Sequence, residues 1–95
     1  MKKITSQIAA AFHAGRSLSV GNTRTDGESV WLHGNKIIRT TEDGSIEWTL
    51  AGWNTVTTRE RINGIVDAGV YNKQWVAHVG TREVSDIGWN KVETE

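Results

Sequence analysis

The chain has 95 residues, with eleven basic and eleven acidic side chains that balance to zero formal charge, no cysteine, no proline, ten glycines and five tryptophans. That length fits one compact domain (1–95) and not two. The missing cysteine excludes disulfide and thiolate–metal chemistry, and no segment reaches the roughly 18 apolar residues that a membrane-spanning helix needs.

The charge is unevenly spread. Residues 1–39 hold six Lys/Arg and two Asp/Glu, whereas residues 40–95 hold five and nine, so the halves carry +4 and −4. Either the halves pair in the fold, or a neutral chain carries a basic face.

In chain order, the basic start Met1-Lys2-Lys3 leads into an amphipathic stretch and not an apolar signal-peptide region. This places the protein in the cytoplasm. Ile4, Ile8, Ala11 and Phe12 share one face of a 3.6-residue period, predicting a helix over 1–15. Thr5 or Ser6 is the expected cap, and Gly15 the expected left-handed residue past its end. Gly21 to Gly27 reads as a polar loop. A three-stranded meander follows over 28–50, with turns at Gly34-Asn35 and Asp43-Gly44. Those turns set Leu32 opposite Ile37, Val30 opposite Arg39, Ile37 opposite Leu50 and Arg39 beside Trp48. The expected core face is Val30, Leu32, Ile37, Ile46, Trp48 and Leu50, with Arg39 as the odd member. On the other face Trp31 and Ile38 lie directly across from each other, an apolar pair that is either covered or meets a partner.

A second helix is predicted over 57–68. Thr57 and Glu60 form a capping box, Ile62, Ile65 and Val66 an apolar stripe, and Gly69 follows the end. The chain over 70–92 is β-rich, with turns at Asn72-Lys73 and Gly80-Thr81 and a short last strand over 87–92. The acidic tail Glu93 to Glu95 is expected to fray. The order helix, meander, helix, meander predicts an α+β fold: two helices packed on antiparallel β-meanders, compatible with a tandem α-β-β-β duplication.

Several residues together carry a resemblance. They are Gly21-Asn22-Thr23 with Thr25-Asp26-Gly27, Leu32-His33-Gly34-Asn35 with Ile37, Gly52-Trp53 with Thr55, and Thr57-Thr58-Arg59-Glu60-Arg61-Ile62-Asn63-Gly64. Over residues 4–70 this pattern resembles a group of small proteins encoded by tailed bacteriophages and of no established activity. Tyr71 and Trp75 match it loosely, and the last twenty residues diverge. The resemblance implies a setting, the cytoplasm of an infected host bacterium, and no mechanism.

The chemistry-bearing residues form no catalytic pattern. His13, His33 and His78 lack the helical spacing of a metal pair, and no nucleophile elbow or phosphate-binding glycine loop occurs. No catalytic residue, metal site or cofactor is therefore expected, and the protein is read as a non-enzymatic binder. One candidate site is the start of the second helix, Thr57, Thr58, Arg59 and Arg61, with Trp53 before it. Arginines near a helix N-terminus oppose its dipole unless an anion is nearby. The competing reading is that they pair internally. On the anion reading, reversing both to Glu leaves stability unchanged or slightly higher while weakening binding.

A second candidate is the loop of Asn22, Arg24 and Asp26, whose alternative is an Asx-type turn. Trp31 and Ile38 complete the set. The expected partner is a host or defence protein, or an anionic, nucleotide-like small molecule. A nucleic-acid-binding module using Arg16, Arg24, Arg39, Arg59 and Arg61 is the first alternative, although zero net charge disfavours strong non-specific DNA binding. A minor virion component is the second.

Overall fold

A computed structural model describes residues 2–92; the acidic tail lies outside the described residues. The fold is α+β, with two helices, a six-stranded and a three-stranded antiparallel sheet.

Helix α1 spans Lys3–His13 and begins earlier than its hydroxyls suggest. Lys2 is the N-cap and gives no side-chain cap, so Thr5 lies inside the helix, fully buried. The expected cap at Thr5 or Ser6 is thus corrected, and the Thr5 hydroxyl is released for a tertiary role. The C-terminus follows the sequence. Gly15 has φ +70, and the N–H groups of Gly15 and Arg16 bond the carbonyls of Phe12 and Ala11 at 3.1 and 2.8 Å, a Schellman closure.

Strands β1 (Leu18–Val20) and β2 (Thr23–Thr25) pair through a turn at Gly21-Asn22. The middle of the expected polar loop, Thr23–Thr25, is therefore strand. Thr23 and Thr25 point inward and are buried, while Arg24 points out. The chain then turns through Asp26, whose carboxylate accepts the N–H groups of Glu28 and Ser29 at 2.9 and 2.8 Å. That is the Asx turn weighed above. A Cβ on Gly27 would lie 2.5 Å from the Gly15 carbonyl carbon, so only glycine lets this turn meet the α1 cap.

Strands β3 (Ser29–Leu32), β4 (Asn35–Thr40) and β5 (Ile46–Trp48) form the expected meander in a different register. The first turn is His33-Gly34, with φ +51 and +80, so Leu32 pairs with Asn35 and Trp31 with Lys36. A bulge then sets Val30 against Ile38 and leaves Ile37 as the extra residue. Both isoleucines reach the core, because a bulge breaks the period-two alternation at one step. The second turn is one residue longer than expected. Thr41 and Ser45 close it, Gly44 has φ +84, and Arg39 pairs with Glu47 while Ile38 pairs with Trp48. These two changes move Arg39 to the outer face and Ile38 to the inner one. The expected Trp31–Ile38 pair does not form: Ile38 is fully buried and Trp31 half-buried on the opposite face.

Helix α2 spans Val56–Val66. Its N-cap is Thr55, whose hydroxyl accepts the Thr58 N–H at 3.2 Å. This corrects the predicted capping box at Thr57 and Glu60. At its end Asp67 takes φ +54, and the Asn63 amide exchanges two hydrogen bonds with the Val70 backbone at 2.8 and 2.9 Å. Strands β6 (Val70–Lys73), β7 (Val76–Val79) and β8 (Arg82–Glu83) make the small sheet. Its first turn is Gln74-Trp75 rather than Asn72-Lys73, with φ +50 and +70, and it leaves Trp75 90% exposed. The turn at Gly80-Thr81 is as expected. Strand β9 (Asn90–Lys91) returns to the large sheet beside β5.

One apolar cluster joins these parts. It takes Ile8 and Phe12 from α1, Ile62, Ile65 and Val66 from α2, the inner face of the large sheet, and Val70, Ala77 and Val84 from the small sheet region. Both helices therefore cover the inner face of the large sheet. Five strands follow α1 and three follow α2 before β9, so the two halves share a plan without equal length.

Candidate functional site

The ten residues singled out in the sequence fall into distinct places. Arg61 lies in the core junction of α1, α2 and β2, only 3% exposed. Its Nε donates to the Thr23 hydroxyl at 3.0 Å, and its terminal nitrogens donate to the Thr5 hydroxyl at 3.1 Å and the Asn22 amide oxygen at 3.3 Å. It also forms an ion pair with Glu60. The Glu60 carboxylate accepts the Thr5 hydroxyl at 2.7 and 2.8 Å. Burial pushes the Glu60 carboxyl up, but bonds from Thr5, Arg61 and the Lys2 backbone outweigh it, and the group ends below its ordinary 4.5. Arg61, from the anion candidate, and Asn22, from the loop candidate, are therefore joined in one internal network, the competing reading under which the arginine pairs internally. A buried guanidinium needs this many partners because each unmet donor there is costly to desolvate.

Arg59 is half-buried and donates to the Asn54 side-chain oxygen, while the Asn54 amide donates to Asn72 at 2.9 Å. It braces the segment before α2 against β6.

Trp53, Thr57 and Thr58 do come together. With Leu32, His33, Asn35, Ile37, Leu50 and Thr55 they line a groove of about 490 Å³ between the β3–β4 turn and the start of α2. Its floor is apolar and its rim carries threonine hydroxyls, an amide and an imidazole. Neither arginine lines it. Trp53, at the edge of the groove, is 58% exposed, and Val56, which is not part of the lining, is 74% exposed. Ile87 is 77% exposed and sits beside Gly52, whose N–H donates to the Asp86 carbonyl at 2.7 Å. Trp53, Val56 and Ile87 are thus large apolar side chains left exposed near the start of α2.

Arg24 and Trp31 occupy the outer face of the large sheet. The Arg24 guanidinium carbon lies 3.9 Å from the Trp31 ring centre, and the Lys36 ammonium 5.3 Å from it. Farther along, Arg39 lies 3.8 Å from the Trp89 ring centre and its NH2 nitrogen is 2.7 Å from the Glu47 carboxylate. Lys36, Trp89 and Lys91 were not singled out in the sequence. The missed signal was that outward positions across three strands are Arg24, Trp31, Lys36 and Arg39, seen together only in the correct register. Asp26 keeps its carboxyl below the ordinary 3.8. The Glu28 N–H is the chief cause, burial opposes it, and the Ser29 N–H and Lys36 add to the lowering.

Among the described residues, no group of three or more His, Asp or Glu is placed to hold a metal ion, and no helix is long and apolar enough to cross a membrane. His78 stacks on Tyr71 with ring centres 5.6 Å apart, and His33 sits in the β3–β4 turn.

These features describe a small α+β protein with an apolar groove on one side and an uncovered sheet face on another. The chain belongs to the Kyanoviridae Gp96 protein family, which matches residues 1–94, and is thus a cyanophage protein. No curated protein and no solved structure matches it.

Proposed function

We propose that this phage protein acts by non-catalytic binding, occupying a host or defence protein in the cytoplasm of the infected cell. The observation that carries the reading is the apolar groove at the start of α2 with the exposed Trp53 at its mouth. Exposed tryptophans beside a pocket are the anchors that dominate protein interfaces, and neighbouring apolar side chains exclude water around them. Val56 and Ile87 supply those neighbours. The two arginines that would have favoured a phosphate-bearing small molecule are turned to Glu60 and Asn54, so a protein side chain is the better occupant.

The test is site-specific photo-crosslinking in infected cells. A crosslinker at position 53 is expected to capture a discrete protein, and one at position 75, on the β6–β7 hairpin tip and not part of the groove lining, is not. Loss of the same adduct in Val56→Glu, with thermal stability unchanged, supports the reading. Adducts confined to position 75, or insensitive to Val56→Glu, overturn it.

A further inference from the structure

A second surface differs in chemistry from the groove. The outer face of the large sheet is uncovered, since both helices lie on the inner one. Its register places Arg24, Trp31 and Lys36 in one row and Arg39, Glu47 and Lys91 in the next. Four cations stand there with the Glu47 carboxylate, and Asp26 and Asp43 lie at its margins within electrostatic reach of Lys36 and Lys91, a net of +1 that is most positive around Arg24, Trp31 and Lys36. Trp89 lies over Arg39 in the second row. From β2 to β9 the face crosses about 19 Å at ~4.8 Å per strand step.

We infer that this face binds single-stranded nucleic acid. In the first row a ring stands between two cations, and beside the second Trp89 lies against Arg39, so cations and flat groups neighbour one another as phosphates and bases do along a single strand. Single strands bind where a positive surface tracks the backbone and aromatic rings or guanidinium planes receive the bases. The stacks hold two guanidinium groups beside indole rings, which limits the ordering needed on binding. Among the described residues, Arg24 has no carboxylate partner within ion-pair distance. A second copy of the chain is disfavoured on the same face, because a two-fold contact would set cations against cations. An acidic protein would use the charges but has no matching alternation of flat rings.

The measurement is fluorescence anisotropy of a labelled oligothymidine of about 16 nucleotides, titrated with the full chain over a salt series. Three or four phosphate contacts predict a log–log salt slope of about −2 to −3. Arg24→Glu with Lys36→Glu is expected to weaken binding tenfold or more, and Lys36→Glu alone several-fold, at unchanged melting temperature. Trp31→Phe should weaken it less than Trp31→Ala, while Trp53→Ala leaves it unchanged. No binding at low salt overturns the inference. So does a duplex of the same length binding as well, or poly-glutamate competing as well as the oligonucleotide. Charge reversals that leave affinity intact in a folded protein overturn it too.

Discussion

At the residue scale, Arg61 invites an anion in sequence and makes internal bonds in space. Two arginines near a helix start invite an anion. The fold instead supplies Glu60, Thr5, Thr23 and Asn22 to one of them. Removing one partner of a buried pair leaves the other uncompensated, so Arg61→Ala should lower unfolding free energy by about 3 kcal/mol. Arg59→Ala, which loses a half-buried bond to Asn54, should lower it by about 1 kcal/mol. Urea denaturation separates the two, and equal effects would contradict the burial difference. The Arg59→Glu/Arg61→Glu protein, expected from sequence to be as stable as the wild type, should instead be largely unfolded.

Glu60 of this network and two turn carboxylates set the acid limb of stability. The Glu60, Asp26 and Asp43 carboxyls are all lowered in the folded state, Asp43 to about 2 through the Thr41 hydroxyl and Ser45. A lowered carboxyl stabilises the fold above its unfolded pKa and loses that contribution as pH falls through the folded value. The melting temperature should therefore be flat above pH 5 and fall progressively from about pH 4.5 towards pH 2. In Glu60→Gln it should start lower at pH 7 and fall less over that range. An acid limb as steep in the variant as in the wild type would remove Glu60 from the account.

At the scale of elements, both helices and most strands of the central and last meanders were legible, because their periodicity comes from core demand. Ile8 with Phe12, and Ile62 with Ile65 and Val66, repeat at helical spacing since one face of each helix must be buried. Registers were not legible. His33-Gly34-Asn35 offers two adjacent two-residue turns, and local preference names Asn as readily as His for a left-handed position. The choice falls to tertiary packing, which needs both Ile37 and Ile38 inside and so takes the earlier turn plus a bulge. Strands β1 and β2 were missed for a related reason. Three-residue strands built from Leu-Ser-Val and Thr-Arg-Thr are too short and polar to outweigh the loop signal around them.

Helix α2 tests the corrected cap directly. Thr55→Ala should cost about 1 kcal/mol, or roughly 4–8 °C in a domain of this size, whereas Thr57→Ala should change stability by less than about 0.5 kcal/mol. The reverse order would restore the capping box read from sequence. The Gln74-Trp75 turn is open to improvement. Both residues have positive φ where Asn-Gly is preferred, so replacing the pair with Asn-Gly should raise the melting temperature by several degrees.

At the scale of the whole molecule, the +4 and −4 halves resolve into something other than mutual pairing. Arg39–Glu47 crosses the boundary between the halves, while Arg61–Glu60 lies within the second. Three of the six first-half cations stand on the open sheet face, with Arg24 and Lys36 beside Trp31. The last segment of the chain completes that face. Strand β9 pairs with β5 at the sheet's edge, and Trp89 just before it lies over Arg39. Ending the chain at Gly88 should remove both the edge pairing and the ring. The uncovered β5 edge would then offer unpaired backbone groups to other copies. The shortened protein is expected to melt several degrees lower and to associate as its concentration rises, read by scanning fluorimetry and light scattering. The core residues Val84 and Ala77 lie before the cut, so the inner layers should persist and circular dichroism should keep its helical signal. A shortened chain that stays monomeric with an unchanged melting temperature would show that β9 contributes nothing to holding the large sheet.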